Sequence, residues 1–214
     1  MATTDELIER LAADVGPTRR GAAARRLAGG VALGGAVALA AILAWLGPPL
    51  QAVQSTGAAA FAMKLLFCVA LLAAAFALLL LAGRPGHELG RRWLWLLVPP
   101  ALVAVSAAME LSIAAPGLRG ELWLGSTWQT CLLAITLLAL PVFVGILWAF
   151  RRLAPTRLRP AGLLAGLTAG SASATLYALY CPETSATFLA SWYSLGILAA
   201  GLIGLAIGPR LLRW

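Results

Sequence analysis

Six apolar stretches, separated by short loops, constrain this chain more than any other feature of its sequence. They cover approximately residues 27–46, 61–82, 93–111, 130–150, 161–180 and 188–207. Each is close to the ~20 residues that a helix needs to cross ~30 Å of hydrocarbon. Because a backbone in lipid must satisfy its own hydrogen bonds, every stretch is expected to be helical. We therefore predict an all-α membrane protein, a bundle of six transmembrane helices.

Composition agrees with this class and excludes several others. The chain has 214 residues, of which 61% are hydrophobic and 11% are charged, whereas soluble domains are about half apolar and a quarter charged. Three cysteines without a CxxC pair, together with the single His87, exclude the common zinc and haem spacings. No Ser/His/Asp set or phosphate-binding glycine loop is present either. The sequence thus predicts no cofactor, no firmly assigned metal and no enzymatic activity.

The arginines indicate how the helices are oriented. They cluster at residues 19–26, 84–92, 151–159 and 210–213, whereas Arg119 and Lys64 fall on the opposite side. Cytoplasmic loops carry the excess of Lys and Arg, so both termini are predicted to be cytoplasmic. A net charge of +8 could indicate nucleic-acid binding, but this clustering in short loops favours a topology signal. The bilayer is therefore expected to be a partner, and nucleic acid is not.

Residues 1–26 form a separate cytoplasmic segment ahead of the six-span domain, residues 27–214. A short helix near its start would place Leu7, Ile8 and Leu11 on one face. Membrane-surface helices are usually basic on their polar face, whereas this one is acidic, with Asp5, Glu6 and Asp14. The pattern favours docking into a groove of a cytosolic partner. A weakly ordered leader that only sets topology is the alternative.

Two cysteines lie at the predicted outer face. Cys131 begins the fourth apolar stretch, and Cys181 follows the fifth in the turn at residues 178–184. The pair could be a structural bridge, a redox switch or a soft two-thiolate site for a thiophilic metal or oxidant. Glu183 could add an oxygen ligand or cap the next helix. Two unrelated buried thiols remain the alternative.

Small residues recur every fourth position in the last two stretches. They include Gly162, Gly166 and Gly170 in the fifth, and Gly204 and Gly208 in the sixth. Such ridges allow helix backbones to approach closely in lipid, where no hydrophobic force drives helices together. With a short turn between them, these two stretches are predicted to form a tight antiparallel hairpin.

Three further residues, Lys64, Glu110 and Cys68, are expected to have structural roles. Lys64 and Glu110 lie near the outer ends of their stretches, where a charged side chain can extend to the interface. Anchoring or an ion pair is therefore the favoured interpretation over a functional site. Cys68, about one turn beyond Lys64, is interpreted as core.

The chain resembles the bacterial negative regulators of sigma F, the NrsF family, along nearly its whole length. The resemblance includes the leader, residues 5–20, and the motifs at residues 64–66, 131–132 and 159–162. Its most specific parts are the segments at residues 177–183, 192–193 and 208–214. The family often has His where this chain has Tyr180, which weakens the case for an imidazole ligand beside Cys181.

The resemblance implies a six-span anti-sigma factor of the inner membrane. Such a protein would sequester an extracytoplasmic-function sigma factor and release it under heavy-metal or oxidative stress. The family's paired outer cysteines correspond to Cys131 and Cys181, which would form the sensing site for a thiophilic metal or oxidant. Leu7, Ile8 and Leu11 would hold the sigma factor, aided by the acids of the leader.

Two alternatives belong to other functional classes. A membrane thiol oxidoreductase that passes electrons to quinone would need a second cysteine pair to relay them, which three cysteines cannot provide. A small transporter would normally place polar residues deep in its spans, whereas mid-span positions here are mainly Ala, Leu, Val and Gly.

Overall fold

The computed structural model describes residues 4–13, 21–47, 57–84, 86, 89–151, 153 and 157–211. Within this part of the chain all regular structure is helical. The helices are α1 (Thr4–Ala13), α2 (Ala22–Leu46), α3 (Ala58–Ala82), α4 (Val98–Ile113), α5 (Arg119–Leu124), α6 (Trp128–Phe150), α7 (Leu158–Tyr177), α8 (Ala186–Phe188) and α9 (Ser194–Leu211). A 3₁₀ segment, Gly90–Leu96, precedes α4, and one π-helical turn, Leu189–Tyr193, joins α8 to α9.

Helix α7 occupies the centre of the bundle. It packs against α9, α3 and α6, and less extensively against α2. None of its large apolar side chains is exposed, whereas α2, α3, α4, α6 and α9 all present exposed ones, such as Leu33, Leu66, Leu102, Val144 and Leu202. The outer helices therefore form an apolar belt around α7, as expected of a bundle surrounded by lipid.

Five helical segments of the described chain are long and apolar enough to cross a membrane: Ala22–Leu46, Ala58–Ala82, Gly90–Ile113, Pro116–Phe150 and Ala186–Leu211. The 20-residue α7 is not among them. Its Gly, Ser and Thr residues make it less apolar than the other long helices. Thr168, Ser171 and Thr175 each donate a hydrogen bond to a carbonyl one turn earlier. A helix enclosed by other helices can carry such groups, so the sixth span remains a prediction.

The small residues of α7 and α9 lie against each other. A Cβ added at Gly162 or Gly204 would overlap the backbone of the opposite helix, and one at Gly208 would lie 2.7 Å from the Cα of Gly162. Gly166 and Gly170 face the Ala200 region of α9 in the same way. The two backbones are therefore in direct contact along this interface.

A second close contact joins α2 to α6. Gly30 packs on Gly145, with no room for a Cβ at either position, and a Cβ at Gly34 would lie 2.5 Å from the carbonyl oxygen of Pro141. The first predicted stretch thus packs against the fourth, which is distant in sequence. Helix α4 has fewer neighbours and contacts mainly α8, with a smaller contact to α3.

The α2–α6 contact predicts that alanine substitutions at two adjacent glycines differ in their effect on stability. Gly34→Ala should lower the unfolding free energy by about 1–3 kcal/mol, the usual cost of overpacking. Gly35→Ala is the matched control, because a Cβ there meets nothing within 4 Å, and it should be neutral or stabilising by up to ~1 kcal/mol through helix propensity. Thermal unfolding of the purified chain in detergent measures both, and equal destabilisation would contradict the proposed packing.

Candidate functional site

The structure brings the two predicted thiols together. Cys131 lies in the first turn of α6, and Cys181 lies in the turn between α7 and α8. Their Sγ atoms are 3.4 Å apart, and both residues are completely buried. A disulfide requires about 2.05 Å between the sulfurs, so the pair is unbonded but within contact distance. Cys68 of α3 is also a free, buried thiol.

Hydroxyl groups surround the Cys131 sulfur. Thr127 Oγ1 lies 3.4 Å from it, and Tyr177 Oη lies 3.5 Å away, at the end of α7. Tyr193 is also fully buried and stacks near Tyr177, with ring centroids 6.3 Å apart. Its hydroxyl makes no well-aligned hydrogen bond with the described residues. The thiols therefore lie in a small polar pocket enclosed by α6, α7 and the π-helical turn.

Lys64 supports the turn that carries Cys181. Its Nζ donates a 2.8 Å hydrogen bond to the carbonyl oxygen of Cys181, and only 3% of the residue is exposed. Of the two roles that the sequence suggested, an anchor or an ion pair, the interfacial anchor is therefore wrong, because Lys64 is buried. The physical reason is that the turn leaves its backbone carbonyl without a helical partner, and a buried carbonyl requires a donor. A buried ammonium group likewise requires an acceptor.

Glu183 holds the start of α6 rather than the next helix. Its Oε1 accepts hydrogen bonds from Ser126 N at 2.7 Å, Ser126 Oγ at 2.8 Å and Thr127 Oγ1 at 3.1 Å. A carboxylate at a helix N-terminus satisfies free N–H groups and interacts favourably with the helix dipole. Gly125 permits this approach, because its φ is 55° and a Cβ there would lie 2.8 Å from the carboxylate. Through Thr127, Glu183 is linked to Cys131.

Glu110 performs the same task for α8. Its Oε2 accepts hydrogen bonds from Ser185 Oγ at 2.8 Å, Thr187 N at 2.8 Å and Thr187 Oγ1 at 2.7 Å. The Ser185 hydroxyl in turn accepts from the backbone N–H of Phe188. Glu110 thus fastens the peripheral α4 to the segment that follows Cys181, a role more specific than the anchor that the sequence suggested.

Three tryptophans cover the same end of the bundle. Trp192 stacks on Trp128, with centroids 4.7 Å apart, and lies 6.0 Å from Trp123. Its Nε1 donates a 2.8 Å hydrogen bond to the carbonyl oxygen of Trp123. The stack joins α5 and the start of α6 to the π-helical turn. It therefore connects the segments on both sides of the thiol pair.

Sequence reasoning identified the thiols but missed the groups that hold them. Ser126 and Thr127 directly precede an apolar stretch, which is the signature of a helix N-cap. Charged residues are rare within apolar stretches and are usually paired there, so Lys64 and Glu110 also signalled specific partners. Among the described residues, no group of three or more His, Cys, Asp or Glu side chains could hold a metal ion.

The predicted docking residues lie on α1, remote in sequence from this site. Asp5 and Glu6 are exposed in its first turn. Leu7, Ile8 and Leu11 lie within the helix, but their side chains, like the whole of Asp14, fall outside the described residues. The amphipathic helix that the sequence predicted is present over Thr4–Ala13.

The thiols differ in acidity. A hydrogen bond from Cys131, together with the nearby positive charge of Lys64, lowers the pKa of the Cys181 thiol to about 6, against the opposing effect of burial. Cys181 lies in a turn outside the helical segments. Because the thiolate is the form that attacks oxidants and binds metals, this lowered pKa favours Cys181 over Cys131 as the thiol that ionises first.

Comparison with known proteins gives consistent matches. The family described as "Negative regulator of sigma F" matches residues 11–214. An anti-sigma-F factor NrsF from Caulobacter vibrioides is 41% identical over 213 residues, which cover 99% of each chain. A probable anti-sigma-F factor NrsF from Azospira oryzae is 38% identical over 221 residues, again with 99% coverage of each chain. No solved structure gives a significant match.

The acidity of Cys181 predicts a pH profile for its alkylation. In a Cys68→Ser background, the rate of reaction with N-ethylmaleimide should fall as the pH drops through about 6, where the thiolate becomes protonated. Cys131→Ala should move the midpoint upward toward the ~8.5 of an ordinary thiol. Tyr180→Phe is the matched control, since the Tyr180 hydroxyl has no hydrogen-bond partner among the described residues. Peptide mapping by mass spectrometry follows Cys181, and a parental midpoint near 8.5 would contradict the assignment.

Proposed function

Because the chain belongs to the negative regulator of sigma F family, we propose that it is an anti-sigma factor. It would hold an extracytoplasmic-function sigma factor at the bacterial inner membrane and release it under heavy-metal or oxidative stress. One observation of the structure carries the sensing part of this proposal. The two thiols are buried in contact, at 3.4 Å, between two helices of the bundle.

Placement in the membrane is supported by the apolar belt and by the distribution of charge. Five helical segments are apolar enough to span a bilayer, and their outward-facing side chains are mainly Leu, Val and Trp. The arginine clusters support a cytoplasmic position for both termini under the positive-inside rule. The thiol pair, at the other ends of α6 and α7, then faces the periplasm, where disulfides can persist.

Helix α1 would supply the docking surface. Asp5, Glu6 and Glu9 are exposed along its acidic face, which suits the basic surface with which a sigma factor contacts polymerase or DNA. The apolar positions Leu7, Ile8 and Leu11 would enter a groove of the partner, as an amphipathic helix does in helix-in-groove recognition. Sequestration then needs no catalytic step, and the protein would act by binding alone.

The sensing chemistry follows from the geometry of the pair. A two-electron oxidant would convert both thiols to a disulfide, with loss of two protons, and the sulfurs would approach from 3.4 Å to about 2.05 Å. A soft divalent cation would instead displace the two protons and bind both thiolates. In either case the start of α6 and the turn after α7 are joined by a bond that the resting protein lacks.

Helix α6 provides the connection from this site toward the leader. Cys131 lies at its first turn, and Gly145, fourteen residues later and about 21 Å along the axis, packs directly on Gly30 of α2. Helix α2 begins at Ala22, shortly after the docking helix. A shift of α6 caused by closure of the thiols would therefore be passed to α2. A signal can change sigma binding only by the difference in its affinity for the two arrangements.

The docking role predicts that Leu7→Asp with Leu11→Asp abolishes co-purification of the sigma factor, because two charges would enter an apolar groove. Ala13→Asp, which adds charge to the opposite, exposed side of α1, should leave recovery unchanged. Affinity capture of the tagged full-length protein from solubilised membranes measures the outcome. Undiminished recovery with the double variant would refute the docking role.

The sensing role predicts a loss of response in Cys181→Ser and Cys131→Ser, measured with a sigma-dependent reporter after exposure to cadmium or an oxidant. Each substitution removes one of the two sulfurs that must be joined. Cys68→Ser is the matched control, since Cys68 lies on α3 outside the pair, and its response should be normal. A normal response in both pair variants would remove the thiols from the mechanism.

A further inference from the structure

The predicted cytoplasmic end of the bundle contains a cleft between α7 and α9 that the anti-sigma function does not use. Its volume is about 580 Å³. Two arginines, from the start of α7 and the end of α9, lie at this cleft, and the other lining residues that the structure describes are apolar. The lining residues are Arg159, Leu202, Leu205, Ala206, Pro209 and Arg210.

Backbone contact between the helices brings the two arginines together. Gly162 packs against Gly204 and Gly208 with no space for a Cβ at the closest positions. Arg159 lies one turn before Gly162, and Arg210 lies two residues after Gly208. The start of the motif at residues 208–214 therefore meets the motif at residues 159–162 through Gly208 and Gly162.

The two arginines give this cleft a positive charge that no carboxylate of the described residues neutralises. Both guanidinium groups are exposed, and neither forms an ion pair with a carboxylate of the described residues. Glu110 and Glu183 are engaged near the thiols at the opposite ends of these helices. A pair of arginines without acidic partners is a favourable site for a phosphate, which guanidinium groups bind bidentately.

The apolar wall identifies the kind of phosphate compound. Leu202 is 52% exposed and Ala206 is also exposed, so the wall faces outward, where acyl chains would lie if α9 spans the bilayer. Basic pockets between helices on the cytoplasmic side are typical sites for anionic headgroups. A soluble phosphate compound would use the arginines but would leave the apolar wall without a partner.

We propose that this cleft binds one anionic phospholipid of the cytoplasmic leaflet, with its phosphate between Arg159 and Arg210 and an acyl chain along Leu202, Leu205 and Ala206. The proposal rests on the membrane placement given under the proposed function, but not on sigma binding. The bound lipid would link the start of α7 to the end of α9, which are the two helices joined by the glycine contacts.

Native mass spectrometry of the full-length protein in micelles containing phosphatidylglycerol or phosphatidylcholine tests the site. In the parent, phosphatidylglycerol should be retained in preference to phosphatidylcholine. Arg159→Gln with Arg210→Gln should reduce phosphatidylglycerol retention roughly tenfold or more, given the usual contribution of each basic residue. Ala206→Phe, which fills the cleft but keeps both charges, should reduce it as well.

Arg84→Gln with Arg151→Gln is the matched control, because it removes the same charge from exposed arginines outside the cleft. It should leave retention unchanged. Equal loss in this control, no lipid preference in the parent, or full displacement of the lipid by inorganic phosphate would each overturn the proposal. Co-purification of the sigma factor, measured on the same samples, separates the two proposals. Sigma binding without lipid retention refutes only the lipid site, and the converse refutes only the anti-sigma function.

Discussion

The direct contact of helix backbones around α7 is the constraint on which the rest of the structure depends. Lipid tails are as apolar as the helix surfaces, so no hydrophobic force drives helices together in a membrane. A bundle there is held by close packing and by polar contacts between helices. Gly162, Gly166 and Gly170 allow α9 to lie against α7 without intervening side chains. Ser173 adds a hydrogen bond from α7 to the carbonyl oxygen of Ile135 in α6. With α7 fixed in this way, the turn that follows it is fixed too, and with it Cys181.

Polar side chains organise the predicted outer end of the bundle. Each of two carboxylates caps a helix from another part of the chain: Glu183 caps α6, and Glu110 caps α8. Lys64 holds the intervening turn through the carbonyl oxygen of Cys181. These contacts connect α3, α4, α6 and α8 around the sulfurs. Because the caps lie on both sides of the turn, the thiols are held in contact without a covalent bond.

The fold could be predicted from the sequence where a single segment carried the signal. The length of the apolar stretches predicted the helices. The recurrence of small residues at every fourth position predicted which faces of α7 and α9 carry small side chains. The family resemblance was confirmed by matches over nearly the whole chain. In contrast, the partners of Lys64 and Glu110 depend on contacts 117 and 77 residues away, which no local pattern encodes. The packing of Gly30 on Gly145 likewise needed the arrangement of α2 and α6, because one stripe of small residues does not identify its partner.

The different interfaces of α6 suggest how a small change at the sulfurs could reach the leader. At its first turn α6 is held by directional hydrogen bonds through Thr127 and Glu183, whereas near Gly145 it meets α2 through bare backbone. The backbone contact between Gly30 and Gly145 leaves no room for a side chain at either position, so a shift of α6 either moves α2 with it or breaks the contact. Joining the sulfurs would first move the hydrogen-bonded first turn of α6, and α2 would then move with α6. A packed interface that changes by sliding is one of the recognised ways in which a local shift becomes a switch.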